Sequence, residues 1–121
     1  MSYEFYKILH LTSIFMIFMG LAGFLFAHAA QGTIPKPMRI LLASVHGVGL
    51  TLALVSGFGL AARLGLVQGL PNWIYIKIGI WLILGGMIAL AKRKSNLYFP
   101  LMISWILLGA LAAFLAGTKP I

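Results

Sequence analysis

Four apolar runs, spaced so closely that nothing is left between them for a soluble domain, constrain this chain more than any other feature of it. They cover residues 3–30, 38–64, 72–91 and 97–116. Each is near or above the ~20 residues that a helix needs to cross the hydrocarbon core of a bilayer. A segment in lipid must satisfy its own backbone polar groups, so runs of this length predict helices. The joints carry stop and start signals: Gly32, Pro35 and Pro37 in the first, Gly65 and Pro71 in the second, Lys92, Arg93, Lys94, Ser95 and Asn96 in the third. Pro100 falls in the first turn of the fourth run, where its missing donor is tolerated. Short loops make consecutive helices antiparallel neighbours. The expected fold is an all-α membrane protein, one domain of four transmembrane helices in an up-down-up-down bundle.

Charge then narrows the partners. Only 8% of the 121 residues are charged, and a single acid, Glu4, stands against nine Lys and Arg. The basic residues sit singly or in short groups between apolar spans, so they read as topology signals and contacts to anionic lipid. A lipid bilayer is the expected partner, and nucleic acid is not. Lys36, Arg39, Lys92, Arg93 and Lys94 fall on one side, Lys7, Arg63 and Lys119 on the other. By the positive-inside rule, both termini are expected outside the cell membrane, with the first and third loops cytoplasmic. No cleavable signal stands out, so the first helix reads as its own insertion signal and the N-terminus as mature. Cysteine is absent, which excludes disulfides, thiolate metal sites and covalent c-type haem attachment. One acid cannot build a hard-metal site or a carboxylate proton relay.

The ionisable residues inside the spans are the functional candidates. His10 and His28 are eighteen positions apart, five whole turns at about 100° per residue, so they share a stripe with Ile14, Ile17, Leu21 and Leu25. His28 is close enough to the helix end to reach the headgroups instead. His46 lies some ~12 Å deep, on a stripe that continues through Gly49, Ala53 and Ser56 to Leu60 and Arg63. Lys77 sits at the level of His10, with Arg63 and Lys7 in the same half of the bundle and only Glu4 to answer them. Cations in a low dielectric call for an anion: porphyrin carboxylates, a lipid phosphate or a charged substrate. The alternative for Lys77 is to reach the interface beside Trp73 and Tyr75. By helix rise, His28 and His46 differ by about 9 Å in height and His10 and His46 by about 18 Å, which favours the first pair for a shared haem. Small residues recur every four positions at Gly49, Ala53, Gly57 and Ala61, and at Gly109, Ala113 and Gly117. Such stripes admit another helix of this chain, another subunit, or a flat cofactor.

Three segments carry a resemblance. YKILH at residues 6–10, VHGVGLTLALVSGFGLAARLG at 45–65 and WIYIKIGIWLILGG at 73–86 resemble the small polytopic membrane proteins of the SirB-like group. More distantly they resemble the HemJ-type protoporphyrinogen oxidases and the CopD-type copper-resistance proteins. In the HemJ-like pattern a histidine of the first helix and a lysine of the third are associated with haem or porphyrin, which would match His10 and Lys77. The chain lacks that pattern's tryptophan-rich stretch and the arginine-bearing segment after the first helix.

Together these features describe a small inner-membrane bundle that binds haem b or a related porphyrin for electron transfer or porphyrin handling. His46 and His10 are the candidate metal ligands, His28 a further candidate, and Lys77 and Arg63 the partners of the carboxylates. The competing reading is a cofactor-free homo-oligomer or membrane-complex subunit, a small channel, transporter or scaffold whose glycine stripes pack against neighbours. An enzyme acting on porphyrin is a third, which needs an oxidant and a substrate pocket that the sequence does not display.

Overall fold

The computed structural model describes residues 2–31, 34–66 and 68–118, so Lys119 of the charge count lies outside the described residues. Four helices, α1 (Tyr3–Gln31), α2 (Lys36–Arg63), α3 (Asn72–Arg93) and α4 (Tyr98–Thr118), account for nearly all of them, and no strand occurs among them. All four are long and apolar enough to cross a membrane. The chain is an all-α protein of four transmembrane helices.

Their ends follow from local chemistry. Pro35 caps α2 in an extended conformation, and Pro37 occupies its first turn, where no amide donor is required, so the helix starts at Lys36 rather than at Met38. At the other end Gly65 takes φ +75°, its amide donates to the Ala62 carbonyl at 3.1 Å, and the Leu66 amide donates to that of Ala61 at 2.9 Å. That pair of bonds closes the helix by a Schellman motif, which a glycine permits at no steric cost. A single 3-10 turn, Ser95–Leu97, joins α3 to α4.

The tightest packing is between α1 and α2, antiparallel along most of their length. Gly20 of α1 lies against the backbone of His46 and Leu42, and Gly49 of α2 against that of Ser13 and Ile17. The stripe of His46, Gly49, Ala53 and Ser56 is buried, and its neighbour is α1 of the same chain. Against this pair α3 and α4 pack more sparsely through Trp73, Ile80, Leu84, Trp105 and Leu115, which join Ile17, Leu21, Phe24 and Leu25 of α1 in one core. Helices α2 and α4 make no close backbone approach among the described residues. The outward faces are apolar, with Phe15 69% and Leu107 63% exposed. A soluble protein rarely shows contiguous surface of that kind, and in a bilayer lipid covers it.

A side-chain hydrogen bond also links α3 to α2. The Trp81 indole Nε1 donates to the Leu50 carbonyl of α2 at 2.9 Å. Trp81→Phe keeps the ring volume and removes the donor, so it is expected to cost about 0.5–1.5 kcal/mol, nearer the lower figure because hydrogen bonds inside membranes average less than the general expectation. Unfolding of the detergent-solubilised variant in SDS measures it.

Candidate functional site

Because α2 and α4 stay apart, the bundle is hollow at one end. A cavity of about 550 Å³ opens between the N-terminal halves of α1 and α3 and the C-terminal halves of α2 and α4. This is within the size range of small-molecule sites. Its wall is largely apolar, with Trp73 and Trp81 from α3, and small residues Gly57, Gly109, Ala113 and Gly117 that leave room. Its basic side chains, among the described residues, are His10, Lys7 and Lys77; the Tyr3 phenol lines it as well, and no carboxylate does. The topology explains the assembly: up-down connections bring the start of α1 and the start of α3 to the same end.

His10 is held by two serines. Its Nδ1 lies 2.9 Å from the Ser56 hydroxyl across the α1–α2 seam. One turn on, Ser13 Oγ donates to the His10 carbonyl at 2.6 Å. Both serines are fully buried. With Nδ1 engaged, Nε2 is the ring nitrogen left to address the cavity. Gly57 faces the ring, and a Cβ added there would meet His10 Cε1 at 3.5 Å, an ordinary contact.

The other histidines sit elsewhere. His46 is 2% exposed and its Nδ1 donates to the Ile17 carbonyl at 3.1 Å, pinning α2 to α1, while its buried Nε2 has no hydrogen-bond partner among the described residues. His28 is buried too, its Nδ1 donating to the Phe24 carbonyl of its own helix at 2.9 Å, with the Phe24 ring 4.5 Å away. It is packed inside rather than turned toward the headgroups. His10 faces Ser56 and His46 lies ten residues earlier on α2, which separates them by about 15 Å along the helix. From Gly20, which packs against His46, to His28 is another eight residues of α1, about 12 Å. Each imidazole therefore has its own level and its own partner, and only His10 lines the cavity. Arg63, at the end of α2, is exposed and is not part of the wall.

Among the described residues no three His, Cys, Asp or Glu side chains converge as a metal site would require. A porphyrin supplies four nitrogens of its own and asks the protein for one axial donor, a demand that a lone imidazole meets. The small, apolar wall and the lysines suit a flat molecule bearing carboxylates. What sequence reasoning missed is the pair of serines. Ser13 carries a legible sign, since a serine three residues after His10 can bond back to its carbonyl; Ser56 stood on the His46 stripe with no sign that His10 was its partner. Comparison with family models, curated proteins and solved structures gave no match.

Proposed function

We propose that the cavity binds haem b or a related porphyrin, with His10 as axial donor and Lys7 and Lys77 paired to its carboxylates. The observation that carries this is the joint presence of His10 and the two lysines on the wall of one ligand-sized cavity without a lining acid. The bundle lies in the cell inner membrane with both termini outside and the basic loops after α1 and α3 in the cytoplasm, in keeping with Lys36, Arg39, Lys92, Arg93 and Lys94 on that side. Lys7 is then at the outer end of the site, with Lys77 a turn deeper at the level of His10. The bound group supplies redox chemistry or is itself the cargo; the protein contributes an axial donor, burial and charge.

The test uses two porphyrins. Protein purified in detergent after expression with haem is expected to show a Soret band. Lys7→Gln combined with Lys77→Gln is expected to weaken binding of the free dicarboxylate roughly tenfold or more, as loss of charge-assisted hydrogen bonds of about 1.5–3 kcal/mol implies. Binding of the dimethyl ester, which has no carboxylate to pair, stays unchanged. An equal loss for both porphyrins removes the lysines from the reading, and a featureless spectrum despite added haem overturns it in favour of a cofactor-free oligomer.

A further inference from the structure

We infer that Ser56 is a positioning residue of this site: it fixes the proton of His10 on Nδ1 and thereby presents Nε2 to the cavity as a bare electron-pair donor. The inference deepens the porphyrin reading, but its geometry stands in the chain alone. Ser56 has one hydroxyl proton and two backbone acceptors of its own helix within reach, the Leu52 carbonyl at 2.6 Å and that of Ala53 at 3.3 Å. An oxygen-to-oxygen approach of 2.6 Å needs a proton between the atoms, and a carbonyl has none to give. The hydroxyl proton is therefore committed to Leu52. Toward His10 the Ser56 oxygen offers only a lone pair, at 2.9 Å from Nδ1. The neutral ring must bring its proton to that contact, which leaves Nε2 unprotonated. Ser56 is fully buried, so water does not compete for either role.

The consequence is chemical. An imidazole that donates its second nitrogen's proton to an oxygen is oriented, kept in one tautomer and made a stronger base at the other nitrogen, the arrangement that accompanies metal-bound histidines. A site built this way takes an electron-poor partner at Nε2, such as a porphyrin metal, and refuses a ligand that needs to be given a proton there.

The experiment reads the tautomer directly. In protein labelled with nitrogen-15 at histidine and free of haem, His10 is expected to show a protonated Nδ1 and an unprotonated Nε2. Ser56→Ala weakens that preference, leaving the Ala53 carbonyl as the remaining acceptor beside the ring, and Ser56→Thr, which keeps the hydroxyl, restores it. The Nδ1–H of His46, held by the Ile17 carbonyl, serves as the internal standard of folding and stays unchanged in Ser56→Ala. In haem-loaded protein the midpoint potential rises in Ser56→Ala, because the axial nitrogen becomes less basic. A wild-type His10 protonated on Nε2, or a tautomer indifferent to Ser56→Ala, overturns the proposal. Failure to bind haem fells the porphyrin reading, and the nitrogen-15 result still decides this one.

Discussion

Alanine at Gly20 or at Gly49 is expected to destabilise the bundle by about 1–3 kcal/mol each, and leucine at either position to keep α1 and α2 from closing at all. A Cβ on Gly20 would lie 2.8 Å from the His46 amide nitrogen and the Leu42 carbonyl oxygen. One on Gly49 would lie 2.9 Å from the Ile17 amide nitrogen and the Ser13 carbonyl oxygen. These are backbone atoms of a facing helix, so relief requires moving the helix itself. Gly23 is the instructive contrast: its added Cβ meets Leu42 Cδ2 at 2.7 Å, the far end of a side chain that can rotate away. Gly47 and Gly86 have nothing within 4 Å, so alanine there is expected to be neutral or mildly stabilising. SDS unfolding of the five variants should rank Gly20 and Gly49 worst, Gly23 next, and Gly47 and Gly86 at wild type. Equal effects at all five positions would mean that α1 and α2 do not meet in this register. The spacing matters beyond stability, because the same seam that admits Gly49 brings Ser56 to His10.

How far this was legible in the sequence depends on which physical signal each feature leaves. Helix positions are legible because a bilayer forces long apolar runs, and prolines and glycines mark their ends; α2 departs from expectation only because Pro37 is as acceptable inside the first turn as before it. The stripe of His46, Gly49, Ala53 and Ser56 is legible as an interior face, being small and polar on an otherwise apolar helix. Its partner is not, since every helix here is apolar all round and a small-residue stripe says how closely a neighbour comes without saying which one. The cavity is less legible still. Gly109 and Gly117 belong to one stripe in sequence and both line the cavity, yet an added Cβ on Gly109 would meet the Phe18 ring of α1 while one on Gly117 would touch nothing. Depth estimates along single helices place His10 and Lys77 at one level and cannot tell that Ser56 faces the first of them, which depends on the register of α1 against α2.

His10→Ala is expected to abolish the Soret band, whereas His46→Ala and His28→Ala keep it. Only His10 lines the cavity, and removing an axial donor should weaken binding by more than the roughly 10–100-fold that follows from losing an outer-shell partner, the scale expected for Ser56→Ala. His46→Ala acts on a different quantity. It removes the Ile17 carbonyl's extra donor and empties a fully packed position in the tightest seam of the bundle, so it lowers the SDS midpoint without displacing the ligand. The Nε2 of His46, without a partner among the described residues, sharpens the comparison: a buried acceptor without a donor is where a ligand would be sought first, yet His46 is not on the wall of the cavity that His10 lines. Absorption spectra of the three variants, oxidised and dithionite-reduced, separate the roles. Loss of the band in His46→Ala with retention in His10→Ala would move the ligand from the cavity into the α1–α2 seam. The expected pattern instead assigns one histidine to the ligand and one to the helix pair, with His28 serving the helix that carries it, because each imidazole is already committed through Nδ1 to a different oxygen.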